Sequence, residues 1–340
     1  MRKGEETLSK GRVTRDDVAK RAGVSPSVVS YVINGSNYVS DEKKQAVLKA
    51  VEELNYTPNV FAKGLRTNRS NQIALVGDTL QAEFYEALSS QLFKHGYFSS
   101  MFYSSQEKRF IDGLIECGFA AIFMASNAFS AEQLNSIVKN GVPLVFYKSR
   151  EYEGLDPRIV LRAPDFYNGV KMVLNYLIMK GHKKIGYVPP VKYRTKGVGG
   201  NDFRAKAYTD TLRENGLEIN PDFFCTHTQT IADAKEDVFK MLTAFPVGER
   251  PTAIAVGDDR TAAQIIKYVK KLGLKVPDDV AIVGWGNAAM SQVTDPEITT
   301  VDDGIPVFAE EVADVLARMV RGEHPENKFY SGKLIIREST

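Results

Sequence analysis

Apolar side chains follow two different periods along this chain, and the change between them divides it into two kinds of structure. Across residues 13–56 they recur at three- and four-residue intervals, the period of an amphipathic helix. Residues 15–22 put Val18, Ala19 and Ala22 on one face. Residues 26–33 do the same with Val29, Val32 and Ile33, and residues 41–55 with Ala46, Val47, Ala50, Val51 and Leu54. The ends of these helices are marked. Thr14 is a good N-cap with Asp17 three residues on, the spacing of a capping box. Gly23 supplies a left-handed stop. Ser25 and Ser40 cap the second and third helices, and Pro26 takes the first helical position, where its missing N–H costs nothing. The second helix leaves Pro26, Ser27, Ser30, Tyr31 and Asn34 on its outer face. Two short helices joined by a three-residue turn, the second small and polar outside, have the geometry that enters a DNA major groove. An ordinary helical hairpin is the other reading of the same pattern.

From residue 72 the period changes. Short β-rich runs, among them IALV at 73–76, AAIFMA at 120–125, PLVFY at 143–147, KIGYV at 184–188, TAIAV at 252–256 and VAIVGW at 280–285, alternate with helix-length amphipathic segments. Strand–helix alternation predicts parallel sheets with right-handed crossovers. Roughly ten strands over residues 71–340 suit two stacked α/β lobes better than one sheet.

Length and charge sharpen this division. A chain of 340 residues exceeds the usual single domain. Residues 1–70 hold 13 Lys and Arg against 8 Asp and Glu, a net of +5, while residues 71–340 hold 31 against 34, a net of −3. The overall +2 is therefore a basic head on a slightly acidic body, as phosphate neutralisation by a DNA-binding head requires. Arg2, Lys3, Lys10 and Arg12 fall in a polar leader, residues 1–12, that is expected to be disordered. That leader lacks the apolar core of a signal peptide, and the longest apolar run, 119–125, is far too short to span a bilayer. Two cysteines, Cys117 and Cys225, form no disulfide framework and fit a reducing cytoplasm as core thiols.

Catalytic and metal constellations are weak. The sequence has no GK[ST] phosphate loop, no G-x-S-x-G elbow, no HExxH and no CxxC. Gly197, Gly199 and Gly200 lack dinucleotide spacing and read as a loop. Asp258 and Asp259 are adjacent after a strand and so point in different directions. His95, His182, His227 and His324 are scattered. No catalytic residue, metal or cofactor is assigned, and the chain is not expected to be an enzyme.

The motifs VAKRAGVS, VSYVING, the third helix ending in ELNYTPN, and AKGLRTNRS follow one another at a spacing that resembles the lac repressor/galactose repressor family of bacterial transcription regulators. Further on, GHKKIGYV (181–188), FRAKAY (203–208), AVGDDRTA (255–262), VPDDVAIVGWGN (276–287) and the ending LIIREST resemble that family's effector-binding core. The resemblance implies an α/β protein with a three-helix helix-turn-helix DNA-binding head over residues 1–58 and a hinge helix or linker over 59–70. A two-lobe, periplasmic-binding-protein-like effector and dimerisation domain of doubly wound parallel sheets would follow over 71–340. The chain would cross between lobes near Ala163, Pro296 and Phe329. Lobe 1 would then take about 71–163 and 297–328, and lobe 2 about 164–296 and 329–340. Ligands in such folds bind outside the carboxyl ends of the strands.

The same resemblance assigns roles residue by residue. Pro26, Ser27 and Tyr31 occupy positions with which the family reads base edges. The family commonly has arginine where Tyr31 stands, so Tyr31 contacts either a base or a phosphate and sugar. Thr14, Ser25, Ser30 and Asn34 go to the DNA backbone, with capping as the competing role for Thr14 and Ser25. Leu65 sits where the family inserts a leucine wedge into the minor groove, flanked by Ala62 and Lys63, the alternative being packing between paired linker helices. In the effector cleft the resemblance places Phe84 and Tyr85 on the first lobe, and Arg204, Asp258 and Trp285 on the second. Two departures stand out. Gly286 replaces an aspartate of the sugar-binding members, and Lys148 and Arg150 stand where an acidic residue is common. These changes move the expected ligand from a sugar towards an anion, such as a phosphosugar or an organic acid. Surface pairing of Lys148 and Arg150 with Glu151 or Glu153 is the other reading.

The function expected is thus a cytoplasmic transcriptional repressor. It would bind a near-palindromic double-stranded operator as a homodimer and answer to a small-molecule effector. A regulator steered by a protein partner, with a vestigial cleft, is the alternative. A secreted solute-binding protein of the same fold is disfavoured by the head and by the lack of a signal peptide.

Overall fold

A computed structural model describes residues 13–33, 39–56, 70–78, 82–105, 107, 109–191, 202–225 and 228–340. The chain separates into two compact units, residues 1–70 and residues 71–340.

In the first unit three helices form where the helical period predicts them: α1 (Arg15–Ala22), α2 (Pro26–Ile33) and α3 (Asp41–Glu53). The N–H of Thr14 donates to Asp17 Oδ2 at 2.9 Å and the N–H of Asp17 donates to Thr14 Oγ1 at 3.3 Å, a reciprocal cap. Gly23 ends α1 at φ +67°, a conformation that costs other residues steric strain. Ser40 occupies the N-cap of α3, but its side chain makes no capping hydrogen bond. Val18, Val29 and Val47, one from each helix, are wholly buried against one another's elements. This core is small, so each valine carries a large share of it.

The second unit contains two sheets. The first has strand order β10-β5-β4-β3-β1-β2 and is parallel throughout, using β1 (Gln72–Gly77), β2 (Phe98–Tyr103), β3 (Ala121–Ala125), β4 (Leu144–Phe146), β5 (Val160–Pro164) and β10 (Lys328–Tyr330). Helices α4 (Ala82–Lys94) and α11 (Ile305–Val320) cover one face with Leu88, Leu92, Val312 and Leu316, and α5 (Phe110–Glu116) and α6 (Ala131–Lys139) cover the other. Cover on both faces explains why β1, β3 and β4 read as unbroken apolar runs.

The second sheet has order β11-β9-β8-β7-β6, from β6 (Ile185–Val188), β7 (Ala253–Val256), β8 (Ala281–Trp285), β9 (Thr299–Asp302) and β11 (Lys333–Ile335). It is parallel except at its edge, where β11 runs antiparallel to β9 with Leu334 opposite Val301. Helices α7 (Phe166–Met179) and α8 (Phe203–Glu214) pack on one face, α9 (Ile231–Thr243) and α10 (Asp259–Lys271) on the other. One of the three expected crossing points shifts, and the third falls beside Phe329 as expected. Strand β9 pairs with β8, so the second crossing follows Asp302 and not Pro296. Strand β10 pairs with β5 through Phe329 and Ala163, so the third follows Tyr330. Residues 297–302 therefore belong to the second lobe, because the β-branched run ITTV (298–301) leads into a strand of its sheet and is not a linker. Among the described residues, no helix is long and apolar enough to cross a membrane.

Candidate functional site

Two sites take shape, one in each unit. In the head, the period of α2 buries Val29 and Val32 and turns the rest outward. Ser27 and Tyr31 are exposed, and Tyr31 keeps 52% of its surface open. Pro26 and Ser30 are half-buried. The guanidinium of Arg15 donates from Nη1 to Ser30 Oγ at 3.2 Å, tying α1 to α2. Sequence reading missed Arg15; its place one residue after the N-cap gave only a helix-start signal. Ser25 Oγ accepts from the Val28 N–H at 3.4 Å, so both Thr14 and Ser25 act as caps in this structure. Asn34, Ala62, Lys63 and Leu65, with the linker 59–69, lie outside the described residues.

In the second unit a cavity of about 400 Å³ opens between the lobes. Its walls come from the carboxyl ends of strands and the first turns of the following helices, where side chains of remote sequence segments converge. Phe84, Arg204, Asp258 and Trp285 line it. Tyr85, Lys148 and Arg150 do not. Tyr85 follows Phe84 on the same helix, and a step of about 100° per residue turns it into the first-lobe core. Lys148 and Arg150 fail on strand parity: side chains alternate beyond β4, and Tyr147 and Ser149 take the cavity side. Lys148 lies over the Phe203 ring at 5.3 Å and pairs with Glu151 at 3.3 Å. Arg150 stacks on Tyr152 at 4.4 Å and donates to the Phe129 carbonyl at 3.4 Å.

The second correction concerns acidity. Gly286 sits at φ +114°, a backbone state that excludes an ordinary side chain, yet the cleft holds carboxylates from elsewhere. Asp78, Glu83, Asp258, Asp259 and Asp303 all line it. Asp258 caps α10, its Oδ1 accepting from the Thr261 N–H at 2.7 Å. Asp259, buried, points the other way and accepts from Thr300 Oγ1 at 2.6 Å and the Ala288 N–H at 2.8 Å. Burial pushes its carboxyl up to about 6, against those two bonds, which favour the ionised form. Asp303 accepts the Trp285 indole N–H at 2.6 Å through Oδ2. Its carboxyl is pushed up to about 7, first by burial, with the Trp285 bond working in the opposite direction. Trp285 can lie flat here because Gly169 of α7 has no Cβ; one built there would overlap the indole ring.

Arg204 is a cation already spoken for. Its Nε and Nη2 donate to the two carboxylate oxygens of Asp202 at 3.1 and 3.0 Å, and its guanidinium stacks on Phe166 at 4.4 Å. Burial works against its charge, but Asp202 more than offsets that and holds it protonated. Two buried polar atoms on cavity-lining residues lack hydrogen-bond partners: Ser149 Oγ and Asp303 Oδ1. Among the described residues, no three His, Cys, Asp or Glu side chains gather as a metal ion would need.

Comparison with known proteins matches both units. The model for bacterial regulatory proteins of the lacI family covers residues 14–59, and that for a periplasmic binding protein-like domain covers 174–340. The NTD biosynthesis operon regulator NtdR of Bacillus subtilis (strain 168) is 29% identical over 339 residues, spanning 96% of this chain and 99% of NtdR. The uncharacterized HTH-type transcriptional regulator YkvZ of the same organism is 31% identical over 339 residues, spanning 95% of this chain and 98% of its own. Among solved structures, the lac repressor dimer bound to operator and the anti-inducer ONPF superposes with a TM-score of 0.81 at 21% identity, covering 97% of this chain and 99% of that one. That last likeness is one of fold.

Proposed function

The chain belongs to the lacI family of bacterial transcriptional regulators, and from that premise we propose that it represses as a homodimer on a near-palindromic operator, under control of a hydroxylated small molecule held between the lobes. DNA binding and an effector domain come with the family. The observation that carries the finer reading is the outer face of α2, where Ser27 and Tyr31 stand exposed above a core that holds the helix rigid. Ser27 reads either base type, and Tyr31 offers a hydroxyl and an apolar edge for a thymine methyl. Thr14, Ser25, Pro26 and Ser30 then position the helix on the backbone.

Dimerisation is supported by the edge of the first sheet. Strand β2 is outermost and leaves Phe98, Met101 and Tyr103 exposed beside Phe93, whose ring meets Phe98 edge-on at 5.8 Å. Apolar groups clustered on an open strand edge favour a partner surface, and a second copy brings a second half-site. The double substitution Phe98→Lys with Met101→Lys should give a monomer in sedimentation while the fold persists.

The effector reading rests on the cleft's size and walls: aromatic Phe84, Phe166 and Trp285 with a few fixed polar groups, as small-molecule sites have. A vestigial cleft would have no reason to keep Ser149 and Asp303 partly unsatisfied. The anionic ligand loses its support, because Lys148 and Arg150 face away from the cavity and Arg204 is neutralised by Asp202. A coupling of about 1–3 kcal/mol between cleft and operator changes affinity roughly 5- to 150-fold. Selection from a pool of randomised duplexes tests the DNA reading: the bound fraction should converge on a two-fold symmetric sequence. Convergence on an unsymmetric site, or none, would contradict it.

A further inference from the structure

The walls of the cleft carry more acidic than basic side chains. Five lining residues are acidic, Asp78, Glu83, Asp258, Asp259 and Asp303, against Arg204 and Arg260. Most of that acid is occupied. Asp78 Oδ1 accepts from Ser104 at 2.5 Å, Asp258 serves Thr261, and Asp259 serves Thr300 and Ala288. Asp303 differs: one oxygen holds the Trp285 indole, and the other is buried without any donor. Ser149 Oγ, on a residue only 2% exposed that also lines the cavity, is a second buried polar atom without a partner. A buried polar group left unpaired is unfavourable, so a ligand that satisfies these two gains by doing so.

The geometry points to an effector that is a hydroxylated small molecule carrying a protonated amine, with Asp303 as its counter-charge and Ser149 as a second hydrogen-bond partner in the same cavity. Three ligand classes are separated by charge alone. An anion would face five carboxyl groups against two guanidiniums, one of them, Arg204, already paired with Asp202. A neutral polyol would satisfy Asp303 only as a hydrogen-bond donor. An ammonium satisfies it as a donor and as a charge, and charge-assisted bonds are roughly twice as strong as neutral ones. A divalent metal is not favoured, since among the described residues no set of three such ligands converges. The inference rests on the reading of the cleft as an effector site.

The molecule carries its own probe. Trp285 is the single tryptophan of the chain, and it is bonded to Asp303 itself. Its emission in the full-length protein is to be titrated with two matched pairs that differ by the amine, D-glucosamine against D-glucose and tris(hydroxymethyl)aminomethane against pentaerythritol, in phosphate buffer near neutral pH. In at least one pair the amine should move the emission at a concentration about tenfold below its neutral partner, a difference of ~1.4 kcal/mol. Asp303→Asn, checked for folding by circular dichroism, should remove the tenfold gap and bring the two members of the pair to the same concentration. Uptake of the amine at neutral pH should also release protons, seen as a buffer-dependent heat, because Asp303 must ionise to pair with it. Emission that responds to the neutral members at equal or lower concentration overturns the amine inference and leaves the effector site standing. Emission unmoved by all four probes overturns the inference as well, while operator selection judges the regulatory reading separately.

Discussion

The two sites in this chain are built on opposite plans. The head puts its binding side chains outside a minimal core: Ser27 and Tyr31 are exposed, and what orients them is three valines, one per helix. The cleft puts its binding side chains inside, on strand ends drawn from residues 78 to 303, and orients them by hydrogen bonds among buried groups. A surface site of the first kind fails by losing its scaffold. A buried site of the second kind fails by losing a single partner, because an unsatisfied buried group is costly.

The largest effect should come from the head core. Val29→Asp buries an unpaired charge among Val18 and Val47, and operator affinity should fall about a hundredfold or more in a gel shift, while effector-domain melting stays in place. A mild loss would mean that the head is held by more than this core.

Next comes the outer face. Tyr31→Ala should cost about 1–3 kcal/mol of discrimination at one base pair, measured against a panel of single-substitution operators. An equal loss on every sequence would instead assign Tyr31 to phosphate or sugar.

In the cleft, Gly169→Ala forces the Trp285 ring to move, since the added Cβ would overlap it. Overpacking of this kind costs about 1–3 kcal/mol, and the tryptophan emission should shift even without ligand. An unchanged spectrum and melting temperature would show the ring free to yield.

A further effect is on pH. Asp259 and Asp303 have folded values raised by burial, to about 6 and about 7. The folded chain therefore keeps protons that the unfolded chain has released. Their contribution to stability is complete below about pH 4 and is lost as pH rises through those two values. The ligand-free melting temperature should fall from about pH 5 to about pH 8, and Asp303→Asn should flatten the upper part. A melting temperature that rises over that window would contradict the burial of these carboxyls.

The same contrast explains what was legible in the sequence. The head could be read in detail because helical spacing is local: Thr14 with Asp17, Gly23, and the Val29–Val32 stripe lie within a few residues of one another. Strand–helix alternation likewise predicted two lobes and named the runs that form β1, β3, β4, β6, β7 and β8. The cleft was legible only in part. Phe84 and Tyr85 are adjacent aromatics on one helix, and only packing decides which faces the ligand. Lys148 and Arg150 were misplaced by one step of strand parity at the end of a three-residue strand, where Tyr147 and Ser149 hold the cavity side. Asp303 was missed because the second crossing was set at Pro296, which left β9 and the residue after it out of the second lobe. The signal was there in the β-branched run ending in Asp302 and Asp303. Asp259 was dismissed beside Asp258 for pointing elsewhere, and it does, towards Thr300 and still into the cleft.

The central claim, that exposed residues of α2 read a symmetric operator through two copies of the chain, is tested most directly by one binding comparison. Affinity should be measured for the selected operator and for the same duplex with one half scrambled, across a range of salt. The account predicts that scrambling costs most of the specific affinity, and that affinity for the intact site falls steeply with salt as several phosphates are neutralised. Equal affinity for the two duplexes, with little response to salt, would contradict it.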